Sequence, residues 1–256
     1  MEANKMAENK PTLTLITGAD KGIGFETAMS LAKLGHPILL GSRNRERGQE
    51  AVNRIRNAGY HADLLVLDVT NPDDIQRAKK TVTENTGYLD ILINNAGIAL
   101  DNHEDAATLS TDTIRKEFDV NFFGTVSMIQ AFIPLLKKSK SGKIINVSSN
   151  MGSLGLASDP HSRFYNVSSL GYQSSKAAVN FATITFAKEL ADTNITVNSV
   201  NPGWTATGFG GRDTNQPAPA GMQSVQEGAQ QIIKLASDAR NNLNGTFTEN
   251  DGILPW

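Results

Sequence analysis

Cysteine is absent from all 256 residues, which removes disulfides and thiolate chemistry together. Histidine is scarce. His36, His61, His103 and His161 stand apart, without the close pairing of a zinc site, so no metal centre is expected. A charge excess of one sign is lacking too: a formal net charge of −2 supplies no basic field for gathering nucleic acid. No stretch reads as approaching the roughly 18 uncharged apolar residues of a membrane span. These exclusions favour a small soluble partner over nucleic acid or membrane. There is no fixed-period repeat, and no low-complexity linker beyond "NQPAPAG" near residue 217. The opening "MEANKMAENK" lacks the apolar run of a signal peptide and is expected to be a flexible tail, 1–10, of a cytoplasmic protein. On that reading the Asn-x-Ser/Thr triplets at Asn146, Asn166, Asn194 and Asn244 are chance occurrences rather than glycan acceptors.

With 39% hydrophobic residues, the chain can bury one substantial core, and a single domain over 11–256 is expected. Short runs rich in Val, Ile and Leu at 13–17, 37–41, 63–68, 89–93, 143–148 and 195–200 read as strands. Helical patterns at 22–34, 45–58, 72–86, 111–138, 173–191 and 224–238 lie between or after them. The helix at 72 has Asn71 as a candidate N-cap, Pro72 at its first position, and Asp73 and Asp74 against the helix dipole. Apolar strands alternating with helices predict an α/β chain with a doubly wound parallel sheet covered on both faces. Ligands on such a sheet bind beyond the carboxyl ends of the strands. The motifs that end strands are "TGADKGIG", "LDVT", "NNAG", "NVSS" and "NPGW".

Gly18, Gly22 and Gly24 follow the first strand and open its helix, where backbone amides and the helix N-terminus can hold a pyrophosphate. Three glycines alone also fit an ordinary tight turn. Enzymes that read NAD carry an acid about 20 residues further on, at the end of the second strand. This chain has Ser42 and Arg43 there, and its first carboxylate, Glu46, falls inside the next helix. Arg43 is therefore expected to pair with a 2′-phosphate, with Lys21 as the other half of a basic clamp for NADPH. Arg47, one helical turn on, either reaches the same anion or faces solvent. Asp68 either accepts from an adenine amino group or caps a turn.

The ordered set of motifs resembles the single-domain short-chain dehydrogenase/reductases from about residue 11 to the C-terminus. The glycine turn has that family's G-x3-G-x-G spacing, and "NNAG", "NVSS", "YQSSK" and "NPGWTAT" follow in family order. "KGIGFE", "SRNRERGQEAV" and "ENDGILPW" look most like the carbonyl-reductase-like branch. The resemblance implies a Rossmann fold, NADP(H), a small carbonyl substrate, and Asn121, Ser149, Tyr172 and Lys176 as the catalytic set. It also implies Ile23 and Val69 beside the cofactor, Asn95 and Gly97 near its ribose, and Pro202, Gly203, Thr205 and Thr207 at its carboxamide. Asn121 is implied to bend its helix, so that a water links its main chain to Lys176.

Elementary electrostatics agrees with those roles. Tyr172 and Lys176 are four apart on one helix face. An ammonium about 4 Å from a phenolate, at an effective dielectric near 20, is worth roughly 4 kcal/mol, or about three pKa units before desolvation. Tyr172 would then protonate a carbonyl oxygen aligned by Ser149. The Gly/Pro-rich segment 207–221 is expected to be a mobile lid. Met151, Leu154, Trp204, Phe209 and Trp256 either line an apolar pocket or serve as ordinary packing. Ser149 and Tyr172 are farther apart than in the family's tetrameric members, which leaves homo-oligomer and monomer both open. Three functions stay in view: a broad-range carbonyl reductase, a substrate-specific biosynthetic reductase of a 3-oxoacyl, terpenoid or steroid ketone, and a non-catalytic nucleotide sensor.

Overall fold

The computed structural model describes residues 10–238 and 242–256. Apart from its last residue, the expected tail lies outside them. Among the described residues, eight strands form one sheet: β1 (Thr14–Ile16), β2 (Ile38–Ser42), β3 (Ala62–Val66), β4 (Ile91–Asn94), β5 (Gly142–Val147), β6 (Ile195–Val200), β7 (Phe247–Glu249) and β8 (Gly252–Ile253). Their order is β3-β2-β1-β4-β5-β6-β7-β8. The helices are α1 (Gly22–Lys33), α2 (Arg45–Asn57), α3 (Pro72–Asn85), α4 (Thr111–Phe118), α5 (Thr125–Leu136), α6 (Leu154–Ser158), α7 (Leu170–Glu189) and α8 (Val225–Ser237). The winding reverses between β1 and β4, which opens a crevice at the carboxyl ends of those strands. This is the single-domain, doubly wound Rossmann architecture.

The two-residue period of a strand divides the core. Leu15, Leu39, Leu92, Ile144 and Val197 point to one face, under Ile75 of α3, Met128 and Phe132 of α5 and Ala187 of α7. Their neighbours Ile16, Leu40, Ile93 and Ile145 point to the other face, against Leu31 of α1, Val52 of α2 and Ile232 of α8. Each buried Leu or Ile contributes roughly 1.5–3 kcal/mol, so pairs such as Leu92–Ile93 hold the site-bearing strands from both sides. Asn71 caps α3 as its sequence predicts, accepting from the Asp73 and Asp74 amides.

Several expectations need correction. β7 and β8 were not foreseen, and β8 runs antiparallel to β7, so the sheet is not wholly parallel. The third strand stops at Val66, which leaves Asp68 in the loop beyond it. The helix over 111–138 is broken: α4 passes through a π-helical turn, Asp119–Gly124, before α5 begins. Thr111–Leu136 is also long and apolar enough by composition to cross a membrane, contrary to the sequence reading. It is apolar because α5 buries Met128, Ile129 and Phe132 beneath the sheet. α7 starts at Leu170, earlier than predicted, so Tyr172 falls in its first turn.

Candidate active site

A cleft of about 1670 Å³ opens at the carboxyl ends of the strands. Every residue expected to bind the cofactor lines it, together with Ser149, Tyr172 and Lys176. Asn121 sits behind this wall. Gly18 and Gly22 adopt left-handed backbone angles, φ 61° and 57°, that side chains resist. Gly24 is required for a different reason: a Cβ there would lie 2.4 Å from Asn95 Nδ2 and 2.7 Å from the Gly18 carbonyl. Asn95 braces the turn by donating through Nδ2 to the Thr17 and Gly18 carbonyls at 2.9 and 3.0 Å. A cradle bare of side chains at the start of α1 fits a pyrophosphate. Ile23 contributes an apolar wall to the same turn.

Within the same turn, Lys21 is exposed and extended immediately before α1 and lines the cleft. Arg43 is exposed between β2 and α2, and no carboxylate stands at its position. Arg47 is neither free nor simply solvated: its Nε donates to Asp20 at 2.9 Å, neutralising an acid inside the glycine turn. Asp68 makes a turn contact, its Oδ1 accepting from the Thr70 amide and hydroxyl at 2.9 and 2.7 Å, and it also lines the cleft. Val69 packs against Gly124, where a Cβ would meet Val69 Cγ2 at 2.7 Å.

Ser149 caps a short 3-10 turn, Asn150–Gly152, and its Oγ accepts from the Met151 amide. Tyr172 and Lys176 are both buried. The ammonium of Lys176 donates to the Val147 carbonyl at 2.8 Å and lies 5.8 Å from the Tyr172 ring centroid. In this setting the phenol is not brought toward neutrality. Tyr172 is raised to about 12, chiefly by burial, with Ser149 opposing the rise and Glu117 and Asp101 adding to it. Burial lowers Lys176 to about 8. The chain by itself thus keeps its tyrosine firmly protonated. Asn121 occupies the π-turn, with Oδ1 accepting from the Ile98 amide at 2.8 Å and Nδ2 donating to the Ile98 carbonyl and Ser175 Oγ at 2.9 Å. Gly97 leaves open the space in front of this pair: a Cβ there would approach Asn121 Oδ1 to 3.3 Å and Lys176 Nζ to 3.4 Å.

Beyond β6, Gly203 is left-handed at φ 72°, and Thr205 Oγ1 donates to the Pro202 and Gly203 carbonyls at 3.1 Å. Thr207 meets the glycine turn, its Cγ2 lying 3.4 Å from where a Gly22 Cβ would sit. Residues 206–222 leave and return at one place. The Ala206 amide donates to the Gln223 carbonyl, and the Gln223 amide to the Trp204 carbonyl, both at 2.9 Å. On this loop Phe209 packs against Tyr172 with ring centroids 5.7 Å apart. Met151 and Trp204 line the cleft as the sequence suggests. Leu154 is exposed away from it, and Trp256 stacks on Phe247 instead. Sequence reasoning overlooked Arg163 and Phe164, which line the cleft from the loop before α7, and the buried acids Asp101 and Glu117. The main partners of the two acids lie 16 to 71 positions away in sequence, so no local pattern marks them.

A doubly wound sheet with a glycine cradle and a Ser-Tyr-Lys group at its carboxyl ends defines a nucleotide-linked oxidoreductase. The family comparison agrees: the short chain dehydrogenase model matches residues 12–218, and the chain belongs to that family. It is 35% identical over 255 residues to the short-chain dehydrogenase anuI of Penicillium roqueforti, covering 97% of each chain. It is 32% identical over 252 residues to a 3-oxoacyl-[acyl-carrier-protein] reductase of Thermotoga maritima, covering 94% of this chain and 96% of the other. Among solved structures, the NADPH-bound carbonyl reductase from chicken fatty liver superposes with a TM-score of 0.82 at 26% identity, covering 96% and 99% of the two chains. The family binds a nicotinamide cofactor, and its ketoreductases are among this chain's relatives.

Proposed function

We propose that the protein reduces a ketone or aldehyde to an alcohol with NADPH. The observation that carries this reading is a buried Tyr172 lining the same cleft as the glycine cradle, with Ser149 beside it and burial favouring its protonated form. When bound, the reduced nicotinamide supplies hydride to the carbonyl carbon. Tyr172 gives its phenolic proton to the carbonyl oxygen, and Ser149 donates a hydrogen bond that aligns that oxygen. Lys176 holds a buried positive charge behind the ring, which offsets the phenolate left after proton transfer. Pro202, Gly203, Thr205 and Thr207 line the nicotinamide end, and Asn95 and Gly97 the ribose.

Preference for NADPH rests on Lys21 and Arg43 in the cleft and on Ser42 where an acid would reject a 2′-phosphate. Substrate contact falls to Met151, Phe164, Trp204 and Phe209, an apolar and aromatic set that suits an apolar carbonyl. A dedicated biosynthetic reduction of a 3-oxoacyl group is the second reading, supported by the likeness to the Thermotoga maritima reductase.

The test is NADPH oxidation over aldehydes, aryl ketones, β-ketoesters and cyclic ketones, with NADH in parallel. Tyr172→Phe should abolish turnover while leaving NADPH affinity, measured by fluorescence titration, within about twofold of the parent. Turnover by the phenylalanine variant at the parental rate would falsify the assignment of the proton donor.

A further inference from the structure

The helix that carries Tyr172 begins in an unusual way. Ser169 holds its N-cap position, yet the serine side chain makes no cap hydrogen bond to α7. A serine there ordinarily accepts from the second or third helical amide. Here the third amide is that of Tyr172 itself, and it donates to Asp101 Oδ2 at 3.1 Å. Ser169 Oγ turns the same way, approaching both carboxylate oxygens of Asp101 at 2.7 Å. A side chain from the β4–α4 loop thus replaces the local cap.

Asp101 is held rigidly for this task. Glu117 Oε1 accepts from the Leu100 and Asp101 amides at 2.6 and 3.3 Å, and Asn121 clamps Ile98 through both its amide and its carbonyl. Glu117 and Asn121 are four residues apart, so one helical face fixes both ends of the segment 98–101. α7 rests on the same carboxylate: a Cβ at Gly171 would fall 1.9 Å from Glu117 Oε2. Asp101 is buried, and no Lys or Arg among the described residues pairs with it. Its carboxylate accepts from Ser169 and the Tyr172 amide at the start of α7, and at a longer 3.5 Å from the His103 amide of its own loop.

We propose that Asp101 is a positioning residue, a carboxylate cap supplied from another element that fixes the first turn of α7 and with it the Tyr172 phenol. The inference rests on the proposed carbonyl reduction for its kinetic consequence, though not for its structural one. Both acids also favour the protonated phenol, which suits a proton donor.

Asp101→Ala removes the cap, and Asp101→Asn retains an acceptor oxygen for the Tyr172 amide. A displacement of the order of 1 Å can cost about 100-fold in rate. In the NADPH-saturated enzyme, Asp101→Ala should lower kcat by tenfold or more, with NADPH affinity within about twofold of the parent. Asp101→Asn should recover to within about threefold. Ser169→Ala, a milder variant that keeps the amide bond, should show a smaller loss of the same kind. Hydrogen–deuterium exchange over residues 170–176 should quicken in the alanine variant and stay protected in the asparagine one. Parental kcat and parental protection in Asp101→Ala, or an asparagine variant no better than the alanine, would overturn the proposal. If the parent turns over no carbonyl, the functional reading fails, and the exchange measurement still decides the cap.

Discussion

Lys176 carries its charge where burial opposes it, and the cost has a definite pH dependence. Its pKa falls from 10.5 to about 8. Between those values the unfolded chain keeps a proton that the folded chain has shed, so the stability contribution of this group rises with pH across that window. Tyr172, raised from 10.0 to about 12, acts in the opposite sense, and its contribution falls as pH climbs through that range. Lys176→Met should therefore be at least as heat-stable as the parent at pH 7 while losing activity, and thermal melts should show its advantage shrinking from pH 8 to 10. A variant advantage that grows with pH over that interval contradicts the buried charge. In the same cleft, Lys21→Ala with Arg43→Ala should weaken NADPH at least tenfold and NADH less than threefold in parallel titrations. Equal losses for both cofactors would remove the basic-clamp reading.

At the scale of elements, the π-turn converts a helix into a support for the site. Asn121 has low helix propensity, and the extra residue in the turn directs its side chain to Ile98 and Ser175 rather than solvent. Gly171→Ala tests how tightly α7 is seated on α4: the new methyl would collide with Glu117, costing about 1–3 kcal/mol in chemical denaturation. A cost below about 0.5 kcal/mol would mean that the helices are less closely joined than described. The sequence made the long elements legible because their signals are local, namely apolar runs, the Asn71-Pro72 start and the glycine turn. β7 and β8, of 3 and 2 residues, offer too short a pattern to read. A bend at Asn121 was implied by the family resemblance and is present, but its π-helical form was not legible because the apolar spacing continues that of the helix. Tyr172 and Lys176 were legible as a spaced pair, whereas Asp101 acquires meaning only from partners 68 and 71 positions away.

For the whole molecule, one sheet means that cofactor binding and folding are coupled. The proposed dinucleotide would touch the ends of β1, β2, β4, β5 and β6, elements whose side chains form both cores. NADPH at about 100 times its Kd should add roughly 2.7 kcal/mol, which for a domain of this size raises Tm by roughly 5–10 °C. NADH at the same concentration should give a smaller shift, measurable by differential scanning fluorimetry; identical shifts would argue against discrimination. Residues 210–222 stand apart from this coupling, since the loop closes at Gln223, away from both cores, while Thr207 and Phe209 stay joined to the glycine turn and to Tyr172. That part of the loop behaves as an exchangeable cassette: its length and composition can drift, or be replaced by grafting, provided that Thr207 and Phe209 keep their contacts with the glycine turn and Tyr172. New substrate ranges could then arise by changing one loop, with the chemistry inherited intact.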